Sequence, residues 1–427
     1  MNEQILYFVW KYKLYNQNEL QTETSEKIEI LSSGIQNFDA GPDFINAKIK
    51  IANVIWVGNV EIHLRSSDWY AHKHHENPAY NNVILHVVYE YDKDVFNRKN
   101  EKIPTLTLKP DDVLLKKYQK LVGKDDILSC KDDLSFIDGF KLKMWLNNVL
   151  FERLNEKTTI IKDKLQRNKN NWEETFYQII ARNFGFKLNA EPFERLAMSL
   201  PLKFLAKHHD NLLQIEALLF GQAGFLNEEN NNEYYLQLKR EYTHLSKKFS
   251  LKPIEKHNWK FLRTRPVNFP TIRIAQFAKL IHRSAGLFSK IIDAKDIDSI
   301  KNLFKADVSD FWKNHYTFDK SSKEKEKTLG ETSVDNILIN TIIPFLFLYG
   351  EAKDNQVLKD RAINFLEKIK QENNKITRLW KDAGIKIPNA FFSQAIIQQT
   401  NNYCKKGKCL DCGIGAEILK YIYTNNN

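Results

Sequence analysis

The feature that most constrains the fold is a change in the spacing of apolar residues after about the first hundred positions. Between residues 28 and 89, apolar side chains recur at every second position or in short continuous runs, which is typical of β-strands. From about Phe136 onward they recur at the 3.6-residue period of an α-helix. The sequence therefore predicts an α+β fold, with an α/β module over residues 1–115 and a mostly helical region over 116–427.

The predicted module begins with a helix and contains four strands in a mixed sheet. Its elements are a helix over 3–15, strands over 28–31, 45–51 and 54–65, a polar crossover over 66–80 and a strand over 83–89. The last strand is almost continuously apolar, which predicts burial on both faces.

Two acidic residues of the module form the first candidate site. Alternation along the strand over 54–65 places Glu61 and His63 on one face, opposite the apolar residues between them. Asp43 precedes the neighbouring strand, where a hairpin can bring it beside Glu61. Since two carboxylates repel, the pair predicts a Mg²⁺ or Mn²⁺ site, with His63 assisting a water molecule. The alternative is an ion-pair ladder on a solvated sheet face.

Histidines are concentrated in the same module. Five of the eleven histidines of the chain fall between His63 and His86, and imidazole is a common ligand of transition metals. These residues predict a second kind of site, a zinc-type centre, whose candidate ligands are Glu61, His63, Asp68, His72, His74 and His86. An exposed polar turn over 72–75 and a core histidine at position 86 are the alternatives.

Cysteines form a third candidate site near the end of the sequence. Cys404, Cys409 and Cys412 have a C-x4-C-x2-C spacing. Cys130, the one other cysteine of the chain, is the candidate fourth ligand, and a histidine or Asp411 is the alternative. Closely spaced thiolates suit tetrahedral Zn²⁺ or an iron–sulfur cluster such as [4Fe–4S]. The spacing alone is compatible with both, and free thiols near a C-terminal loop are the alternative.

The charge balance makes nucleic acid a candidate partner. The chain has 64 Lys and Arg against 53 Asp and Glu, a formal charge of +11. Arg263, Arg265 and Arg273 flank a Pro-containing segment and are candidate phosphate-binding residues, although arginines that cap helices give the same pattern. The longest apolar run, 337–349, is too short to span a bilayer. We expect a cytoplasmic protein without a membrane segment, and the sequence gives no oligomeric state.

The order of elements and the acidic residues resemble the PD-(D/E)XK nuclease superfamily over residues 3–92. The resemblance rests on the Pro-Asp at Asp43, on Glu61 followed two residues later by His63, and on the order helix, three strands, crossover, strand. It implies that Asp43 and Glu61 bind a divalent metal and that His63 stands where the superfamily has lysine. A neutral imidazole can act as a base but lacks the fixed positive charge of lysine.

The whole chain resembles a bacterial family described as a domain of unknown function, DUF2851. The segments that carry this resemblance are 41–44, 60–63, 68–69, 85–89, 263–273 and 404–412. The resemblance implies no activity, so the functional expectation rests on the side chains. We expect a divalent-metal-dependent nuclease-like protein; the alternatives are a non-catalytic scaffold that binds nucleic acid or protein, and a zinc enzyme centred on the histidines.

Overall fold

A computed structural model describes residues 2–123, 126–284, 286–305 and 307–426. An N-terminal mixed sheet with helices is followed by a mostly helical region, which confirms the predicted α+β class. The strands are β1 (Ile28–Ser32), β2 (Ile35–Gln36), β3 (Phe44–Ile51), β4 (Val54–Arg65), β5 (Val83–Glu90) and β6 (Thr105–Thr107).

The helices begin with α1 in front of the sheet and α2 in the crossover between β4 and β5. Their bounds are α1 (Glu3–Tyr12), α2 (Asp68–Ala71), α3 (Asp112–Val122), α4 (Gly139–Arg167), α5 (Trp172–Phe184), α6 (Ala190–Ser199), α7 (Leu202–Ala206), α8 (Leu212–Gln222), α9 (Glu233–Phe249), α10 (Pro270–Arg283), α11 (Leu287–Asp293), α12 (Ile297–Phe304), α13 (Asp310–Lys313), α14 (Glu331–Ile337), α15 (Ile343–Ala352), α16 (Gln356–Lys368), α17 (Lys375–Asp382), α18 (Ala390–Asn402) and α19 (Gly413–Asn426).

The chain divides into two compact units. The first comprises residues 1–147, 378–385 and 396–427, and the second comprises 148–377 and 386–395. The boundary predicted between residues 115 and 116 falls within α3, inside the first unit. The C-terminal segment, which the sequence placed in the helical region, also belongs to the first unit.

The sheet has the strand order β1-β3-β4-β5-β6, with β2 paired to β3. The neighbours β1, β3 and β4 are antiparallel, whereas β5 runs parallel to both β4 and β6. The parallel pairing requires a crossover between β4 and β5, and α2 with two short 3-10 turns provides it. The strands β2 and β6 are short additions that the hydrophobic pattern did not predict.

Local sequence explains the hairpin and the central strand. Ala52 adopts a left-handed conformation with φ of 51° and turns β3 into β4. Six consecutive residues of β5, Val83–Val88, are buried, as its apolar sequence predicts for a strand with neighbours on both sides. The hydrophobic face of α1 supplies Ile5 and Val9, both fully buried, to the core of the unit.

A β-bulge in β3 sets the register next to the first candidate site. Ala47 pairs with Gly58, but Phe44 pairs with Val60, so one extra residue is accommodated in β3 between these pairs. Continuing the register from Phe44 places Asp43 opposite Glu61. Without the extra residue, the same strand would place Asp43 opposite Ile62, on the other face of β4.

Within the described ranges, one helical stretch is long and apolar enough to cross a membrane. This is Glu331–Ala352, formed by α14, a π-helical turn and α15, and 72% of its apolar window is buried inside the protein. A core helix of a soluble protein has this burial, in agreement with the buried helix expected for the apolar run 337–349.

Candidate metal centre

The candidate site lies on the face of the sheet where β4 and β5 run parallel. In the register of the β4–β5 pair, Glu61 lies opposite His86. Glu61, His63 and His86 are 4%, 2% and 0% exposed. The solvated ion-pair ladder is therefore wrong for Glu61 and His63, and only Arg65, which pairs with Glu90 at 3.4 Å, fits that alternative.

The two predicted acidic residues lie side by side. The backbone N–H of Asp43 donates to Oε2 of Glu61 at 3.1 Å, and the N–H of Ile62 donates to Oδ2 of Asp43 at 2.9 Å. These reciprocal hydrogen bonds hold both carboxylates at the bulged end of the hairpin. The phenol hydroxyl of Tyr7, from α1, donates to the Asp43 carboxylate.

The second oxygen of Glu61 faces the histidines. Its Oε1 lies 3.2 Å from Nε2 of His74 and 3.7 Å from Nε2 of His63. Nε2 of His63 is also 3.1 Å from Nδ1 of His72. The ligand atoms of the three histidines all lie within 4.8 Å of one another. Oε1 of Glu61 lies within 3.7 Å of two of these histidines, which makes it the candidate fourth donor atom.

A buried layer lies behind these side chains. Nδ1 of His63 is 2.8 Å from Nε2 of His86, so one hydrogen bond joins the two rings. Tyr80 stacks on His74 at a ring-centroid distance of 3.9 Å, and Trp69 makes an edge contact with His74 and a tilted contact with His86. The crossover over 72–75 is thus not simply an exposed polar turn, because His74 is buried while His72 is exposed.

Burial dominates the electrostatics of the site. It raises the pKa of Asp43 to about 7, with a further contribution from the Glu61 carboxylate, and raises the pKa of Glu61 to about 8. Burial, and then the neighbouring histidines, lower the pKa of His63 to about 2; burial lowers that of His86 to about 3. His63 and His86 are therefore neutral at physiological pH, and a bound cation would reverse the carboxyl shifts.

Asp68 does not join the four donor atoms. Its Oδ2 accepts the backbone N–H of Arg65 at 3.0 Å, which fixes the start of the crossover. Two residues of α1 that the sequence interpretation missed are closer to the chemistry: Tyr7 bonds Asp43, and Glu3 accepts the N–H of Leu64. Positions 3 and 7 are one helical turn apart, so their shared face was the available signal.

The sequence profile of a family described as "Protein of unknown function (DUF2851)" matches residues 3–375. The chain belongs to the DUF2851 family. No curated protein and no solved structure matches it. The DUF2851 match contains every residue of the carboxylate and histidine site, and it ends before the three C-terminal cysteines.

The four cysteines of this DUF2851 chain line one cavity of about 20 Å³ in the first unit. All four are free thiols. Burial raises the pKa of each thiol, and for Cys130, Cys404 and Cys409 the neighbouring cysteines raise it further. The fold therefore brings Cys130 to the C-terminal group.

The three candidate phosphate-binding arginines line one cavity of about 540 Å³ in the second unit. Arg263 and Arg265 are exposed there. Arg273 is 5% exposed and donates to Oε1 of Gln276 at 2.9 Å and to Oδ1 of Asn268 at 2.6 Å. Arg273 is thus held by protein acceptors, whereas Arg263 and Arg265 are the exposed arginines of this cavity.

Proposed function

We propose that the protein is a metal-dependent nuclease-like hydrolase whose first unit carries the catalytic site. The observation that carries this proposal is the position of Glu61 Oε1, 3.2 Å and 3.7 Å from Nε2 of His74 and His63. Donor atoms around a tetrahedral zinc ion, each 2.0–2.1 Å from it, lie about 3.3 Å from one another. The spacing of these donors therefore suits one transition-metal ion.

The donor set favours Mn²⁺ or Zn²⁺ over Mg²⁺. Three imidazoles and one carboxylate suit transition metals, whereas Mg²⁺ prefers oxygen ligands and retains several waters. His86 fixes the ring of His63, because a His63 that binds metal through Nε2 carries its proton on Nδ1 and donates it to His86. This arrangement joins the two sites that the sequence suggested separately, with His63 as a ligand rather than a base.

A nucleic-acid phosphodiester is the proposed substrate. When bound, the metal would lower the pKa of a water molecule and neutralise charge that develops on the phosphate. Asp43 lies beside Glu61, where it can orient that water, and Tyr7 holds the Asp43 carboxylate in place. The order of α1, β1, β3, β4, α2 and β5 and the mixed sheet support the PD-(D/E)XK resemblance. The formal charge of +11 favours a polyanionic partner.

We further propose that the protein acts in the cytoplasm. The helical stretch Glu331–Ala352 is mostly buried, which supports a soluble protein. The alternative function, a scaffold that binds nucleic acid without cleaving it, predicts binding that is independent of the metal centre.

The test is a cleavage assay with metal-stripped protein. Single- and double-stranded DNA and RNA are incubated with Mn²⁺, Zn²⁺ or Mg²⁺, and wild type is compared with Asp43→Ala, His74→Ala and the control His75→Ala. We expect cleavage with Mn²⁺ or Zn²⁺, abolished by the first two substitutions and retained by the control. Equal cleavage by all variants would indicate a contaminating nuclease. Binding without cleavage in every metal would favour the scaffold.

A further inference from the structure

The four thiols come from three separate parts of the first unit. Cys130 precedes the 3-10 turn Lys131–Phe136, Cys404 begins the 3-10 turn Cys404–Lys406, and Cys409 and Cys412 lie just before α19. They are the only cysteines of the chain, and all four line the same small cavity. A chance meeting of every cysteine in a 427-residue chain is improbable, so a shared ligand is the natural explanation.

Gln399 of α18 directs a hydrogen-bond donor at two of the sulfur atoms. It is 1% exposed, and its Nε2 lies 3.0 Å from Sγ of Cys412 and 3.7 Å from Sγ of Cys404. Its Oε1 accepts the indole N–H of Trp145 at 2.7 Å, which fixes the orientation of the amide. A neutral thiol is a weak acceptor, whereas a metal-bound thiolate is a good partner for such a donor.

The backbone around the cysteines is tightly wound. A Cβ on Gly413 would lie 2.5 Å from the Trp145 ring, and a Cβ on Gly415 would lie 2.2 Å from the carbonyl oxygen of Cys409. Gly407 adopts a left-handed conformation with φ of 64°. A side chain at position 413 or 415 would clash with these neighbours, so the backbone packs closely beside Cys409 and Cys412.

The spacing of the sulfurs distinguishes a cluster from a single ion. Thiolates on tetrahedral zinc, with Zn–S bonds of about 2.3 Å, lie about 3.8 Å apart. In the described part of the chain, the histidine group is the only set of three donors with all ligand atoms within 4.8 Å of one another, so no three of the four sulfurs are that close.

We propose that Cys130, Cys404, Cys409 and Cys412 bind an iron–sulfur cluster that fastens the C-terminal α19 to the first unit. Cysteine thiolates are the usual ligands of such clusters, which hold their four sulfurs farther apart than one zinc ion does. The proposal does not depend on the nuclease-like activity.

The cluster also has a consequence for the proposed catalytic site, and this point rests on the proposed function. Leu410 and Asp411, between two of the cysteines, line a cavity of about 580 Å³ together with Tyr7. Tyr7 in turn holds the Asp43 carboxylate. Loss of the cluster would release Leu410 and Asp411 from their positions on this cavity. It would remove no ligand of the histidine site.

The test is metal analysis of the full-length protein purified without oxygen. We expect iron and acid-labile sulfide in equal amounts, at least two of each per chain. Cys412→Ser should lose them, and the control Lys408→Ser, which alters a residue on the same cavity that is not a thiol, should retain them.

If the cysteine variant fails to fold, the iron, sulfide and zinc content of the wild-type protein is sufficient to test the proposal. Stoichiometric zinc without sulfide would overturn the cluster, as would the absence of iron after reconstitution with Fe²⁺ and sulfide. Because no nucleic acid is present, a failed cleavage assay and a failed cluster assay remain separate results.

Discussion

Replacing Glu61 with glutamine should stabilise the metal-free protein at pH 8. Burial raises the folded-state pKa of Glu61 from 4.5 to about 8, so between these values the folded protein binds a proton that the unfolded chain has released. The free energy of unfolding of wild type therefore falls as the pH rises from 4.5 towards 8. Glutamine has the same shape and no charge, so Glu61→Gln escapes the loss. Between pH 5 and pH 8, the unfolding equilibrium constant of wild type should rise about ten-fold per pH unit relative to that of Glu61→Gln. The variant is then more stable than wild type at pH 8 by an amount that grows on the order of 3 kcal/mol over this range.

Adding metal should make wild type more stable than Glu61→Gln. Urea unfolding in EDTA at pH 5 and pH 8 measures the effect of charge, and repeating it with Mn²⁺ or Zn²⁺ measures the effect of the cation. Wild type should gain more from metal than Glu61→Gln, because the variant lacks a charged ligand. The control Glu90→Gln alters an exposed acid of the same sheet and should change little. A variant that is less stable than wild type at pH 8 in EDTA would refute the reasoning, because Glu61 would then be a structural carboxylate.

Three further changes test other parts of the structure. His74→Ala should weaken Mn²⁺ or Zn²⁺ binding at least ten-fold by calorimetry, while His75→Ala should not; equal losses would place the metal elsewhere. Combined Arg263→Ala and Arg265→Ala should weaken pyrophosphate binding about ten-fold or more, and an unchanged affinity would exclude phosphate recognition there. Gly34→Ala should destabilise the protein by about 1–3 kcal/mol in urea, because φ is 84° and a Cβ would meet a carbonyl oxygen at 2.7 Å; a neutral effect would show that this turn can adjust.

The secondary structure near the site followed from local patterns. The two-residue period of β4 and the continuous apolar run of β5 predict both strands, and the structure has both. Burial on both faces is confirmed for β5, but β4 is buried on both faces over residues 60–63 rather than on one face as its period predicts. The short strands β2 and β6 were missed because two or three residues do not establish a period. The apolar face of α1 predicts the helix, but it does not indicate that Glu3 and Tyr7 lie beside β4 and Asp43.

The sequence by itself determined which side chains are available for chemistry. The alternation of β4 puts Glu61 and His63 on one face, and the concentration of histidines marks the crossover. The residue types narrow the candidate ligands to a few positions. These inferences need only the geometry of a single strand and the preferences of metal ions.

Tertiary structure decided which of these side chains meet. The one-residue bulge of β3 places Asp43 opposite Glu61 rather than Ile62, and no local period predicts a bulge. The crossover folds His74 onto Glu61, and the fold brings Cys130 to cysteines more than 270 positions away. Such contacts depend on register and chain reversal, in which a shift of one residue turns a side chain to the opposite face of the sheet.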